Sequence, residues 1–283
     1  MEIRLAKSAG FCFGVQRAVD MVYKAIEENK SPLYTYGPII HNDTVVQEMK
    51  EKGVIVMDEN NLDNYEKGIV ILRSHGVSKN VADMLESKGH ILIDATCPFV
   101  KKIHNIVNEK SSDGDHIIVI GDKNHPEVKG IIGWITTDAY SVVKTREECE
   151  ALNLPTDSNV TVVAQTTFNS VIFTELVEVI TKKGYNTSVL STICNATHER
   201  QEEARKIAAE SEAMIVIGDT NSSNSRKLYE ICLEQCNNTY FIQTAEDLDY
   251  SALHSINLVG ITAGASTPNN IIKEVQNNVR NEF

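Results

Sequence analysis

The sequence has no CxxC pair, no GxGxxG run, no apolar stretch of membrane-spanning length and comparatively little positive charge. Without CxxC, a thioredoxin-type redox pair or a zinc ribbon is not expected. Without GxGxxG there is no nicotinamide or flavin dinucleotide fingerprint. No membrane span is expected, and the opening MEIRLAKSAGFCFGV lacks the continuous apolar core of a signal peptide, so the protein reads as cytoplasmic. Lys and Arg number 27 against 39 Asp and Glu, a formal charge of −12, which argues against nucleic acid or an anionic membrane as the main partner. Any anionic ligand then needs a locally built pocket.

What is present is a globular chain of 283 residues, 42% hydrophobic and 23% charged, with no low-complexity segment or long linker. Its six cysteines, with no secretion signal, do not read as a disulfide framework. Cys149, Cys232 and Cys236 sit in helical patterns where thiols serve as small core hydrophobes. The other three are placed differently. In GHILIDATCP a short apolar strand delivers Cys97 just before Pro98; a second strand-like run, Ser188 to Ile193, leads into Cys194; and Cys12 lies between Gly10 and Gly14 in GFCFGV.

Their spacing is regular, with 85 residues from Cys12 to Cys97 and 97 from Cys97 to Cys194. His41, His125 and Ser223 keep the same step, at 84 and 98 residues, and so do His75, Thr166 and Ser266, at 91 and 100. The last two loops of the first series follow near-identical strands, IIVIGD and MIVIGD. Repeats of this kind predict three αβ modules, 1–97, 98–194 and 195–283, each giving two polar loops and one thiol. The expected fold is α/β, with small parallel sheets around a pseudo-threefold axis and the loops beyond the carboxyl ends of the strands converging on one centre. Within it the pattern predicts a strand over 3–9, a helix from Arg226 to Cys236 and a last helix from Pro268 to Val279.

Three converging thiolates fit a cubane iron–sulfur cluster better than zinc, which normally closes its shell with four ligands. With three protein ligands, one iron keeps an open position. The competing reading is that buried cysteines happen to follow strands. The polar loops fit a phosphorylated ligand: His41, His75 and His125 offer imidazoles, and Ser222, Ser223, Asn224 and Ser266 offer hydroxyl and amide groups near helix starts. His90, His104, His116, His198 and His254 read as structural. Glu127, in HPEV, is the carboxylate placed among these loops; enclosed there, its pKa should rise, which suits proton delivery, with Thr166 as a relay. Asp122 and Asp219 read first as turn formers, and Asp94 as a turn residue or a support behind the ligand groups.

GFCFGV, SHG at His75, DATCP, NHPEV, QTT at Thr166, C-x-A-T-x-x-R-Q at Cys194, NSSNS and GAS-x-P together resemble the LytB/IspH family of 4-hydroxy-3-methylbut-2-enyl diphosphate reductases. The resemblance covers essentially the whole chain, in order. It implies that Cys12, Cys97 and Cys194 hold a 4Fe-4S cluster whose fourth iron binds the substrate hydroxyl. It further implies that His41, His75, Ser222, Ser223, Asn224 and Ser266 grip the diphosphate. His125, Thr166 and Glu127 would surround the hydroxyl end, with Glu127 as proton source, giving isopentenyl or dimethylallyl diphosphate with electrons from a ferredoxin or flavodoxin. The rival from another class is a non-redox phosphate-ligand binding protein or transferase with structural cysteines. It predicts that C97S is colourless, folded and fully active.

Overall fold

The computed structural model describes residues 1–282. The chain starts with β1 (Glu2–Leu5), α1 (Phe13–Glu27), β2 (Leu33–Tyr36), α2 (Asp43–Glu51), β3 (Ile55–Met57), β4 (Ile69–Leu72), α3 (Lys79–Ser87) and β5 (Ile91–Asp94). Next come α4 (Pro98–Ser112), β6 (His116–Ile120), α5 (Pro126–Ile132), β7 (Tyr140–Val143), α6 (Arg146–Ala151), β8 (Asn159–Ala164), α7 (Ser170–Thr181) and β9 (Asn186–Val189). The last elements are α8 (Asn195–Glu210), β10 (Ala213–Ile217), α9 (Ser223–Leu233), β11 (Thr239–Ile242), β12 (Leu258–Ala263) and α10 (Asn269–Glu282).

These strands form three four-stranded parallel sheets, β3-β2-β4-β5, β7-β6-β8-β9 and β11-β10-β12-β1, each with the same order of connection. In the third sheet the edge place held by β5 and β9 in the others is taken by β1, which pairs with β12 from Glu2↔Leu258 to Leu5↔Ile261. The sequence pattern had grouped that strand with residues 1–97. A strand of four residues carries no mark of which partner it will take, so only the pairing reveals that the N-terminus completes the C-terminal sheet.

The chain divides into two compact units. One comprises Met1–Gln16, Ile40–Glu48 and the chain from Asn195 on, and contains the β11-β10-β12-β1 sheet. Along β10, Ala213, Ile215 and Ile217 join a core with Val259, Ile261, Val275 and Val279, while Met214 and Val216 pack with Ala204, Ala208, Leu228 and Cys232 on the other face. Burial on both faces is why the strand reads as one unbroken apolar run.

The second unit comprises Arg17–Ile39 and Met49–Cys194 and contains the other two sheets. The β7-β6-β8-β9 sheet repeats the two-faced pattern, with Ile118, Ile120, Val160 and Val162 against Leu176 and Ile180, and Ile117, Val119 and Val163 against Ile103, Val107, Val128 and Ile131. In the β3-β2-β4-β5 sheet, Tyr34, Tyr36, Val70 and Leu72 pack with Met57, Val77 and Leu85. Each buried aliphatic side chain of this kind contributes about 1.5–3 kcal/mol.

The elements depart from the expected bounds where side chains take over the backbone. The strand expected over 3–9 ends at Leu5, because the Lys7 and Ser8 amides donate to Glu203. The run into Cys194 leaves strand geometry after Val189, and the Thr192 hydroxyl bonds to Ala164 N and O at 2.7 and 2.6 Å. Helix α9 starts three residues earlier than expected because Ser222 caps it, accepting from the Ser225 amide. Pro268 precedes α10 rather than opening it.

Candidate active site

Cys12, Cys97 and Cys194 follow the edge strands β1, β5 and β9, and each immediately precedes a helix, α1, α4 and α8. Each backbone amide makes the same bond. Cys97 N donates to Ser74 O at 3.0 Å, Cys194 N to Thr166 O at 3.0 Å and Cys12 N to Ala265 O at 3.2 Å, and these acceptors lie in the loops after the equivalent strands β4, β8 and β12. The three thiols are therefore set in one repeated local geometry, and all three are half-buried. Cys149, Cys232 and Cys236 are core residues instead, and burial pushes the Cys149 and Cys232 thiols up to about 11 and about 12.

The loop after β6 carries His125 and Glu127. Asp122 starts the turn by accepting from the Asn124 amide, and His125 caps α5, its Nδ1 accepting from Glu127 N at 3.2 Å. An accepting Nδ1 assigns the proton of the neutral ring to Nε2. The His75 ring, from the loop after β4, meets His125 edge to face with centroids 5.5 Å apart. Glu127 is 2% exposed. Its Oε1 accepts from the Thr166 amide at 2.6 Å and its Oε2 from the Thr166 hydroxyl at 2.7 Å.

Desolvation raises the Glu127 pKa more than these two donors lower it, and it stands at about 7. The group can thus hold or release a proton near neutrality. Thr166 links three features. Its hydroxyl and amide hold Glu127, and its carbonyl holds the Cys194 amide.

The other unit brings His41, Ser222, Asn224 and Ser266 to the ends of its sheet. Ser266, in the loop after β12, donates its hydroxyl to His41 O at 2.8 Å. Ser223 and Asn224 are the first residues of α9, behind the Ser222 cap. Asn224 is 4% exposed, and neither its Oδ1 nor its Nδ2 has a hydrogen-bond partner. A buried carboxamide left without partners costs free energy unless a ligand completes it. Gly264 faces it: a Cβ there would lie 3.6 Å from Asn224 Nδ2, so the glycine leaves the amide open on that side.

The acids and histidines read as structural behave so where their contacts are seen. Asp94 accepts from the Thr96 amide and pairs with Lys101. Asp219 accepts from the Asn221 and Asp43 amides. His90 accepts from Gly68 N, and His116 bonds to Ser141. His104 is stacked on Trp134, and burial lowers its pKa to about 4. Sequence reasoning gave no role to two residues against the cysteine loops, Arg17 and Arg200, although Arg200 lies in the C-x-A-T-x-x-R-Q motif. For Arg200 a signal existed: it falls with Thr197, Ala204, Ile207 and Ala208 on the buried stripe of α8, where an unexplained charge marks a required partner.

Residues 3–280 match the family described as LytB protein. The chain belongs to the LytB family. Relatives of this LytB chain include the 4-hydroxy-3-methylbut-2-enyl diphosphate reductase of Caldanaerobacter subterraneus subsp. tengcongensis, 46% identical over 277 residues, covering 97% of this chain and 95% of that one. The reductase of the same name from Clostridioides difficile is 44% identical over 276 residues, covering 97% and 98%. Among solved structures, the E-1-hydroxy-2-methyl-but-2-enyl-4-diphosphate reductase from Plasmodium falciparum superposes with TM-score 0.92 at 31% identity, covering 98% of this chain and 87% of that one.

A further structure, described as (E)-4-hydroxy-3-methyl-but-2-enyl diphosphate reductase, the terminal enzyme of the non-mevalonate pathway, superposes with TM-score 0.72 at 41% identity, covering 99% and 100%. LytB membership implies an iron–sulfur group, and the donors fit one. Three half-buried thiols occupy equivalent positions at helix N-termini, whose partial positive charge suits anionic sulfur ligands, while the remaining thiols are locked in cores.

Proposed function

We propose that this chain reduces 4-hydroxy-3-methylbut-2-enyl diphosphate to isopentenyl diphosphate and dimethylallyl diphosphate, the last step of the non-mevalonate route to isoprenoid precursors. Two electrons and two protons are consumed. The allylic C–O bond breaks, the hydroxyl leaves as water with one proton, and the other proton adds to either end of the allyl system. Cys12, Cys97 and Cys194 would hold one 4Fe-4S cluster. When bound, the cluster supplies the electrons and a Lewis-acidic site for the hydroxyl.

The chain's own residues do the rest. His41, His75, Ser222, Ser223, Asn224 and Ser266 grip the diphosphate, with the start of α9 adding backbone donors. The open Asn224 carboxamide gains its partners on binding. His125 presents its Nε2–H at the hydroxyl end. Glu127 is about half protonated at pH 7 because it is dehydrated, and Thr166 fixes the carboxyl by two bonds and relays the proton through its hydroxyl. Electrons come from a ferredoxin or flavodoxin, and the enzyme works in the cytoplasm; among the described residues no helix is long and apolar enough to cross a membrane.

The observation that supports this reading is Thr166 bonded both to Glu127, which titrates near neutrality, and to the backbone of Cys194, a proposed cluster ligand. The test is iron and acid-labile sulfide per chain on protein purified without oxygen, followed by turnover of the diphosphate. About four of each, with a brown thiolate-to-iron band, is expected of a cubane. Colourless protein that resists anaerobic reconstitution refutes the reading and leaves the phosphate-binding alternative.

A further inference from the structure

Two of the three cysteine loops are gripped by arginines, and each arginine lies on the helix that begins after a different cysteine. Arg200, on α8 six residues beyond Cys194, is 3% exposed. It donates Nε and Nη2 to Ser8 O at 3.0 and 2.5 Å, and Nη2 to Gly10 O at 2.7 Å. Glu203, one turn further on, accepts from Lys7 N at 2.9 Å, Ser8 N at 2.8 Å and the Ser8 hydroxyl at 2.6 Å. The backbone from 7 to 10, ahead of Cys12, is therefore held through its amides and its carbonyls.

Gly10 adopts φ +101°, a conformation glycine tolerates, which turns its carbonyl to the guanidinium without strain. Arg17, on α1 five residues beyond Cys12, does the corresponding work for the next loop. Its Nη1 donates to Thr96 O at 3.1 Å and its Nη2 to Asp94 O at 3.2 Å, directly ahead of Cys97. The loop before Cys194 is held instead by the neutral Thr192 hydroxyl.

We propose that Arg17 and Arg200 are positioning residues for the cluster, holding the Cys97 and Cys12 loops in ligating shape while setting a fixed cation against each. The inference rests on the proposed cluster. A guanidinium suits the task because its rigid fork spans two carbonyls and it never loses its charge; a lysine keeps the charge and loses the fork. The two properties are therefore separable. The fork governs how long the cluster stays bound, and the charge governs its reduction potential, since a nearby cation favours the added electron.

R17Q, R17K and R200K are prepared and reconstituted without oxygen beside wild type, and three quantities are read: iron and sulfide per chain, the rate of bleaching by a chelator, and the reduction midpoint. Bleaching is expected about tenfold or more faster in all three variants, in line with the loss typical when a group orienting a metal ligand is removed. The midpoint is expected to fall in R17Q and to stay near wild type in R17K. Far-UV circular dichroism and the denaturant midpoint of each cluster-free variant are compared with cluster-free wild type. Because Arg17 is only half-buried, R17Q carries the test if R200K folds poorly.

Variants that load and bleach like wild type overturn the positioning role. Bleaching faster only in proportion to a weakened cluster-free fold overturns it too, and equal midpoints in R17Q and R17K overturn the charge effect. Wild type that takes up no iron or sulfide overturns the cluster reading itself, a failure distinct from these.

Discussion

Glutamine at position 127 keeps the side-chain shape and deletes the titrating proton, so E127Q isolates the role assigned to that carboxyl. With a pKa of about 7, its protonated fraction falls from about nine-tenths at pH 6 to about one-tenth at pH 8, so turnover limited by this proton falls about tenfold across that interval. Losing a positioned proton donor costs roughly 10²–10⁴ in kcat. At about 1.36 kcal/mol per decade this is roughly 3–5 kcal/mol of transition-state stabilisation. The expected E127Q protein keeps its iron, sulfide and KM, loses kcat by that factor, and shows no falling limb above pH 7.

The assay is anaerobic steady-state turnover of the diphosphate with a chemical reductant, from pH 5.5 to 9. An E127Q enzyme within a factor of about three of wild-type kcat, or one that keeps the same alkaline limb, refutes the argument, because a general acid is worth at least about a hundredfold. The shift has a counterpart in folding. The carboxyl ionises near 4.5 when exposed and near 7 when buried, so its contribution to stability is fully present below pH 4.5 and is lost as pH rises to about 7. The difference of 7 − 4.5 = 2.5 pH units corresponds to about 3 kcal/mol. Urea unfolding should show this loss in wild type but not in E127Q.

Thr166→Val removes one of the two donors that hold the Glu127 carboxylate, so the alkaline limb should move to higher pH, by about one unit at most for a single hydrogen bond; a limb that stays put or moves down counts against the bond. Asn224→Ala should weaken binding of inorganic pyrophosphate by about tenfold or more, because it removes a hydrogen-bonding group from a charged ligand. It should leave thermal stability nearly unchanged, because the amide has no partner to lose; unaltered pyrophosphate affinity would sink the diphosphate assignment. C97S should lose the visible band and most of its iron, whereas C232A, which alters a thiol pushed up to about 12 inside a core, should keep both. Equal iron in the two variants would contradict the ligand assignment.

Much of this was legible in the chain. The three two-faced sheets show as short apolar runs because helices cover them, and the cysteine, histidine and hydroxyl series keep a common step because the modules share one strand order. The motif set carried the family. Less legible were features that side chains impose on the backbone: the early end of β1, the irregular approach to Cys194, and the N-terminal shift of α9 caused by the Ser222 cap. A residue's preference for helix or strand is a local property, and these changes come from partners far along the chain.

The sequence by itself determined the number of sheets, the positions of the chemistry-bearing loops along the chain and the identity of the three thiols set apart from the core, because periodicity and spacing are written along the chain. Only the tertiary structure decided that β1 closes the C-terminal sheet, that Glu127 is dry enough to titrate near 7, and that Arg200 grips the backbone before Cys12. Each depends on residues 39 to 256 positions apart: Glu127 with Thr166, Arg200 with Ser8, and Glu2 with Leu258. Burial and pairing over such separations are properties of the folded surface, set by the solvent that packing excludes and the partners it delivers, and no local pattern encodes them.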